Sequence, residues 1–128
     1  HRDFASPYEA ESEDDWMARW FFTGGMMPSR DWLGRFASHL VVERDWHLPG
    51  THYERTLNAW LETLDAQRER VRSLFAATYG AAAADLWYRR WRLFLLGSAE
   101  TFGYADGSEW GVSHYLLAPR AELQRREP

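Results

Sequence analysis

Tyr53 is the side chain that sequence alone best places for chemistry. It follows the Pro49-Gly50 break and falls on the first turn of a predicted helix. There a phenol can point into a cleft, donate a hydrogen bond to an anion or orient a substrate. His52 beside it can reach the same space, although a first-turn histidine also readily faces water. A tyrosine ring packed along its own helix is the competing reading, and the residues leave both open. A second kind of chemistry resides in ring faces. The chain carries eight Trp, six Tyr and seven Phe, and such faces attract ammonium and sulfonium cations as well as filling a core. Most must be core, and a minority can wall a pocket for a bulky apolar or cationic molecule.

The stretch Trp20 to Ser29 (WFFTGGMMPS) concentrates these features. Two rings followed by Gly24-Gly25 and Pro28 make poor helix and poor strand, since Gly opens φ/ψ space and Pro removes a donor. The result is either a shaped loop where backbone approaches a ligand, or an ordinary turn with its aromatics tucked inward.

Other chemistries find little support. The five histidines form no HxxxH pair, there is no Cys, and no Gly-x-Ser-x-Gly elbow occurs. The basic run Arg89, Arg90 and Arg92 reads as a helix rim, though a lipid head group could use it. A formal charge of −4 argues against a nucleic-acid binder. No apolar run reaches the roughly 20 residues a bilayer crossing needs, and no secretory pattern opens the chain. A soluble, cytoplasmic protein of a single domain is expected from 128 residues, 45% hydrophobic and 27% charged.

The elements that must position these residues follow from period and punctuation. Residues 1–14 read as a surface loop, and Asp14 or Asp15 caps a short helix that ends before the Gly pair. Ser29 is expected to cap a second helix with Leu33, Phe36, Ala37 and Leu40 on one face. Val42, Trp46 and Leu48 alternate with charged or polar residues, predicting a half-buried strand. Thr51 and Glu54 form a capping-box pattern that opens one long helix through Tyr79, closed by Gly80. A further helix spans Ala81 to Phe102, apolar on several sides, then a turn at Gly103–Gly107. A second strand runs from Trp110 to Leu117, and the tail from Pro119 is charged.

Three runs carry a resemblance: the loop with the preceding DWMAR (Asp15–Arg19), GTHYERTLNAW (Gly50–Trp60) and ETFGYADGSEWGVSHYLL (Glu100–Leu117). In order, and over nearly the whole chain, they resemble the cyclopropane-fatty-acid synthase superfamily of S-adenosylmethionine (SAM) methyltransferases. That superfamily includes the coclaurine N-methyltransferase-like enzymes. The resemblance implies an α/β fragment: the C-terminal helices plus an antiparallel strand pair of a class I Rossmann-like methyltransferase, mostly helical taken alone. Residues 1–128 would be the substrate-binding, sheet-completing part of that domain. SAM would bind mainly to an N-terminal part, for no GxGxxG-like turn exists here, and the chain alone would be inactive.

The resemblance also implies roles. Tyr53 matches a tyrosine that helps cyclopropane synthases hold a bicarbonate base. In the amine-methylating branch a Glu and His pair upstream of residue 1 takes that task. Trp91 and Phe94 match positions lining an amine pocket, and Arg90 stands where that pocket has a tyrosine. Phe22, Thr23 and Gly24 would form the loop side of the cavity, with His52 near the substrate. The acceptor would be a small-molecule amine or an unsaturated fatty-acyl lipid, the latter with peripheral membrane contact. The later strand would keep an unpaired edge, inviting the missing half or a second copy. A non-enzymatic, aromatic-rich module for a hydrophobic ligand or partner is the alternative.

Overall fold

A computed structural model describes residues 6–7, 10–12, 15–36 and 38–120. The proposed Asp14 cap, Ala37 and the charged tail beyond Arg120 lie outside the described residues. The chain divides into two compact units: His1–Leu48 with Gly111–Pro128, and Pro49–Trp110.

In the first unit, β1 (Ser6–Pro7) pairs antiparallel with β2 (Met26–Met27), Ser6 opposite Met27. The short helix α1 (Trp16–Trp20) lies between them in sequence. Asp15 precedes it, yet its carboxylate turns back to accept the Ser12 amide at 2.8 Å and the Ser12 hydroxyl at 3.1 Å, so it caps no helical amide. Gly24 then takes φ +69°, a left-handed value that suits a residue without Cβ. The helix expected from Ser29 does not form. Ser29 donates instead to Asp31 at 2.7 Å, Asp31 pairs with Arg35, and only a 3₁₀ turn at Leu33–Arg35 follows. Leu33, Phe36 and Leu40 stay exposed, so no buried face rewards a longer helix there.

Two longer strands, β3 (Leu40–Pro49) and β4 (Gly111–Pro119), form a separate two-stranded sheet. The His39 carbonyl accepts the Arg120 amide at 2.9 Å and His47 meets Ser113 at 3.2 Å, an antiparallel register. Trp46 does not point into a core as its alternation predicts. It is 45% exposed, with the Arg44 guanidinium 5.7 Å from its ring centroid. Among the described residues each long strand has one neighbour, and Leu116 and Leu117 remain exposed.

The second unit is built on three helices: α2 (Gly50–Ala66), α3 (Arg68–Tyr79) and α4 (Ala84–Gly107). The single long helix expected over Thr51–Tyr79 bends at Gln67, whose φ and ψ are −102° and 22°. No large apolar side chain lies between Leu64 and Val71, so no buried contact holds the axis straight. Gly80, at φ +90°, ends α3 as expected. α4 buries Ala84, Tyr88, Leu95, Ala99 and Phe102 along one stripe and leaves Leu86, Leu93 and Leu96 exposed. The expected turn appears as non-helical geometry at Tyr104–Asp106, with positive φ at Ala105, Asp106 and Gly107.

The Thr51–Glu54 capping box is absent, because Pro49 precedes the helix and no side chain caps it. Close backbone packing takes its place. A Cβ on Gly107 would come within 2.5 Å of the Thr51 amide, and one on Gly103 within 2.7 Å of the Glu54 carboxyl. A Cβ on Gly50 would lie 2.1 Å from the Phe102 carbonyl and 2.2 Å from that of Trp110. Gly50→Ala is therefore expected to destabilise the protein by about 3 kcal/mol, since backbone must move. An unchanged urea midpoint would refute that packing.

Opposite this end, Asp65 clasps α2 to α4. Its carboxylate accepts the Tyr88 hydroxyl at 2.5 Å and two N–H groups of Arg92 at 2.7 and 2.8 Å. The Arg92 guanidinium, then the Tyr88 hydroxyl, hold the Asp65 carboxyl down at about 2 instead of 3.8. A depressed acid stabilises above its unfolded value and loses that contribution as pH falls through its folded one. The clasp should thus be intact above about pH 4 and weaken toward pH 2. Denaturation of wild type and Asp65→Asn across that window should show the wild-type advantage shrinking with acid. A constant difference would mean the carboxylate charge is irrelevant.

Candidate functional site

The second unit carries an open groove of about 720 Å³. Trp60 and Leu64 of α2, Val71 and Leu74 of α3, and Trp91 and Leu95 of α4 line it, with Arg70 and Gln67 among the polar groups. The bend at Gln67 brings the α2 and α3 apolar series to one hollow where a straight helix would spread them along its length. Trp60 is 51% exposed and Leu74 61%, large apolar surfaces of the sort that bind or are covered. The volume lies within the usual range for small-molecule sites, and indole faces suit an apolar body with a cationic amine.

The sequence-predicted residues distribute as follows. Trp91 is in the groove wall, with Phe94 edge-on to it at 5.6 Å. Tyr53 is half-buried in an aromatic cluster, edge-on to Phe102 at 4.7 Å and to Trp60 at 6.0 Å. Its hydroxyl has no hydrogen bond among the described residues. His52 is exposed on the first turn of α2, where its carbonyl accepts the Thr56 hydroxyl. Phe22, Thr23 and Gly24 belong to the first unit. Phe22 is half-buried, its carbonyl takes the Gly25 amide at 2.8 Å, and the Thr23 hydroxyl donates to the Arg19 carbonyl.

Two functional candidates escaped the sequence. Trp60 links the Tyr53 cluster to the groove, and its place seven residues after Tyr53 on one helix face was the available signal. His47 is the other. It lies in a first-unit hollow of about 280 Å³, with Met27, Pro28 and Trp32 on the apolar side and Ser113 and Tyr115 on the polar side. The second half of the WFFTGGMMPS loop therefore does wall a cavity. A Cβ on Gly111 would meet the His47 ring at 2.4 Å, so glycine is what admits the imidazole.

Among the described residues no group of three or more His, Cys, Asp or Glu could hold a metal ion. The junction of β3 with α2 is a strand-to-helix turn with a glycine, the local form that can accept a phosphate. Here it is filled by the Gly107 turn and by the Phe102 and Trp110 carbonyls. The turn therefore leaves no open space for a bound anion. No helix of the described residues is long and apolar enough to cross a membrane.

The chain is thus mostly helical, with an antiparallel strand pair and an aromatic groove. Residues 2–108 match the mycolic acid cyclopropane synthetase family, and the chain belongs to it. It is 37% identical over 121 residues to (S)-coclaurine N-methyltransferase of Thalictrum flavum subsp. glaucum, and 32% over 123 residues to that of Papaver somniferum. Both alignments cover 91% of this chain and 34% of the relative, so the chain spans about a third of the length of the curated relatives it matches. A crystal structure of coclaurine N-methyltransferase bound to N-methylheliamine and SAH superposes with a TM-score of 0.77 at 33% identity. That match covers 94% of this chain and 36% of the other. The chain is thus part of a methyltransferase fold.

The Tyr53 cluster separates ring from hydroxyl. Tyr53→Phe should leave stability within about 0.5 kcal/mol of wild type, while Tyr53→Ala should cost about 3 kcal/mol. Equal losses in thermal melts would show that the hydroxyl is a structural partner.

Proposed function

We propose that this chain is the acceptor-binding, C-terminal part of a SAM-dependent amine N-methyltransferase, and that SAM and the main base belong to another part of the same enzyme. The observation that carries the reading is the groove. Trp60 and Trp91 present exposed or half-buried indole surface in a chain whose matched relatives are N-methyltransferases acting, by their names, on coclaurine and pavine. Such a wall binds an apolar amine, holds its nitrogen in one orientation and sheds water from it. Orientation and desolvation are what a methyl transfer demands of a pocket. Tyr53 stands behind Trp60 and positions it, and Phe94 does the same for Trp91. The exposed leucines of α4, and the edge of β4 that has no strand partner among the described residues, support the further reading that the remaining enzyme covers them.

An unsaturated acyl chain is the other acceptor the family name allows, and bicarbonate beside Tyr53 goes with that chemistry. The named relatives favour the amine, so bicarbonate has no part in this proposal.

The full-length gene product should methylate benzylisoquinoline amines in preference to unsaturated phospholipid when labelled SAM is supplied. Trp91→Ala should raise KM for the amine roughly ten-fold with a smaller change in KM for SAM. Label appearing only in lipid, or an amine KM untouched by the substitution, would remove the groove from the acceptor site.

A further inference from the structure

On the second unit, a hollow of about 350 Å³ is lined entirely by charged side chains and one phenol: Asp65, Arg68, Asp85, Tyr88, Arg89 and Arg92. Its two carboxylates are already matched. Asp65 is saturated by Tyr88 and the forked guanidinium of Arg92. Asp85 accepts two N–H groups of Arg72, at 2.6 and 3.0 Å. Two guanidinium groups remain. Arg68 lies over the Tyr88 ring at 5.3 Å, and neither it nor Arg89 forms a hydrogen bond or close ion pair among the described residues. Each fork therefore keeps its donors for an acceptor that the described residues do not supply.

From this geometry we infer that the hollow is an oxyanion site, in which Arg68 and Arg89 together bind a phosphoryl group. Planar guanidinium forks match phosphate oxygens two at a time, and the Arg68 plane is held by the Tyr88 ring beneath it. Tyr88 is itself fixed, being 5% exposed and bonded to Asp65. The ion pairs Asp65–Arg92 and Asp85–Arg72 neutralise the carboxylates that would otherwise repel an anion. The hollow lies on residues other than those lining the apolar groove, so this site does not depend on which acceptor the groove takes. A soluble phosphate ester and a lipid phosphate share the required chemistry.

Calorimetric titration of the full-length protein with inorganic phosphate forms one arm. Sedimentation with phosphatidylcholine vesicles, with and without phosphatidic acid, forms the other. Arg68→Ala/Arg89→Ala should weaken phosphate binding roughly ten-fold or more, and Arg68→Lys/Arg89→Lys should weaken it several-fold despite unchanged charge. Arg19→Ala/Arg55→Ala removes the same charge elsewhere and should leave binding as it was. Capture by phosphatidic acid vesicles at lower phosphate concentration than free phosphate requires would assign the lipid headgroup; the reverse would assign a soluble ester. Absence of binding in both arms, equal weakening by the control pair, or wild-type binding by Arg68→Ala/Arg89→Ala would overturn the site. Circular dichroism of each variant separates loss of binding from loss of fold.

Discussion

Asp65 organises the second unit. One carboxylate at the last turn of α2 takes three hydrogen bonds from α4, two from Arg92 and one from Tyr88. Charge-assisted bonds of this length are the stronger kind, though both partners of the ion pair are about two-fifths exposed and water screens them. The geometric consequence outweighs the energy. Tyr88 and Arg92 are one turn apart, as are Trp91 and Leu95, and the two pairs sit on adjoining faces of α4. Fixing Tyr88 and Arg92 against Asp65 thereby turns Trp91 and Leu95 toward α3 and the end of α2. The groove and the charged hollow are two outcomes of one clasp.

Packing at the other end of α2 obeys a different rule. There the approach is backbone to backbone, with Gly50, Gly103 and Gly107 leaving room where any Cβ would collide. This arrangement replaces a side-chain cap and seals the strand-to-helix turn. The seal bears on chemistry, since an open helix N-terminus after a glycine is where a phosphate of a cofactor would rest. A glycine in that position is thus no sign of a nucleotide site until its surroundings are known.

Period and punctuation made much of this legible. Gly80 as a helix stop, β3 and β4, and the turn before Gly107 all follow from strong local signals that no tertiary contact opposes. The failures share a cause. Ser29 and Thr51 carry cap-like side chains, but Asp31 claims the first and Pro49 with the glycine packing displaces the second. Trp46 obeys strand alternation, yet burial depends on what faces the strand, and it stays 45% exposed with the Arg44 guanidinium over its ring. Trp91, expected near a pocket through resemblance, lies in the groove wall. Trp60 and His47 were not readable in this way, because their significance lies in partners distant in sequence, Leu95 and Trp91 for one and Ser113 with Gly111 for the other.

Exposure on α4 ties the fold to its role. Leu86, Leu93 and Leu96 are 44%, 51% and 39% exposed, and Trp60 and Leu74 more than half. Fully burying a side chain of this size stabilises by about 1.5–3 kcal/mol, against a net stability of about 5–15 kcal/mol for a typical domain. Five such residues left about half in water forgo about 4–8 kcal/mol, a sum comparable to the lower part of that margin. Selection for an independent module would be expected to replace several of them by polar residues at little cost to the helices, since α4 already has its buried stripe at Tyr88, Leu95, Ala99 and Phe102. Their presence is understandable if each has an apolar counterpart, as the proposed function supplies: acceptor in the groove for Trp60 and Leu74, and further protein over the leucines of α4. Under the function proposed above, the part of a methyltransferase that this chain does not span would bring both, since the chain spans about a third of the relatives it matches.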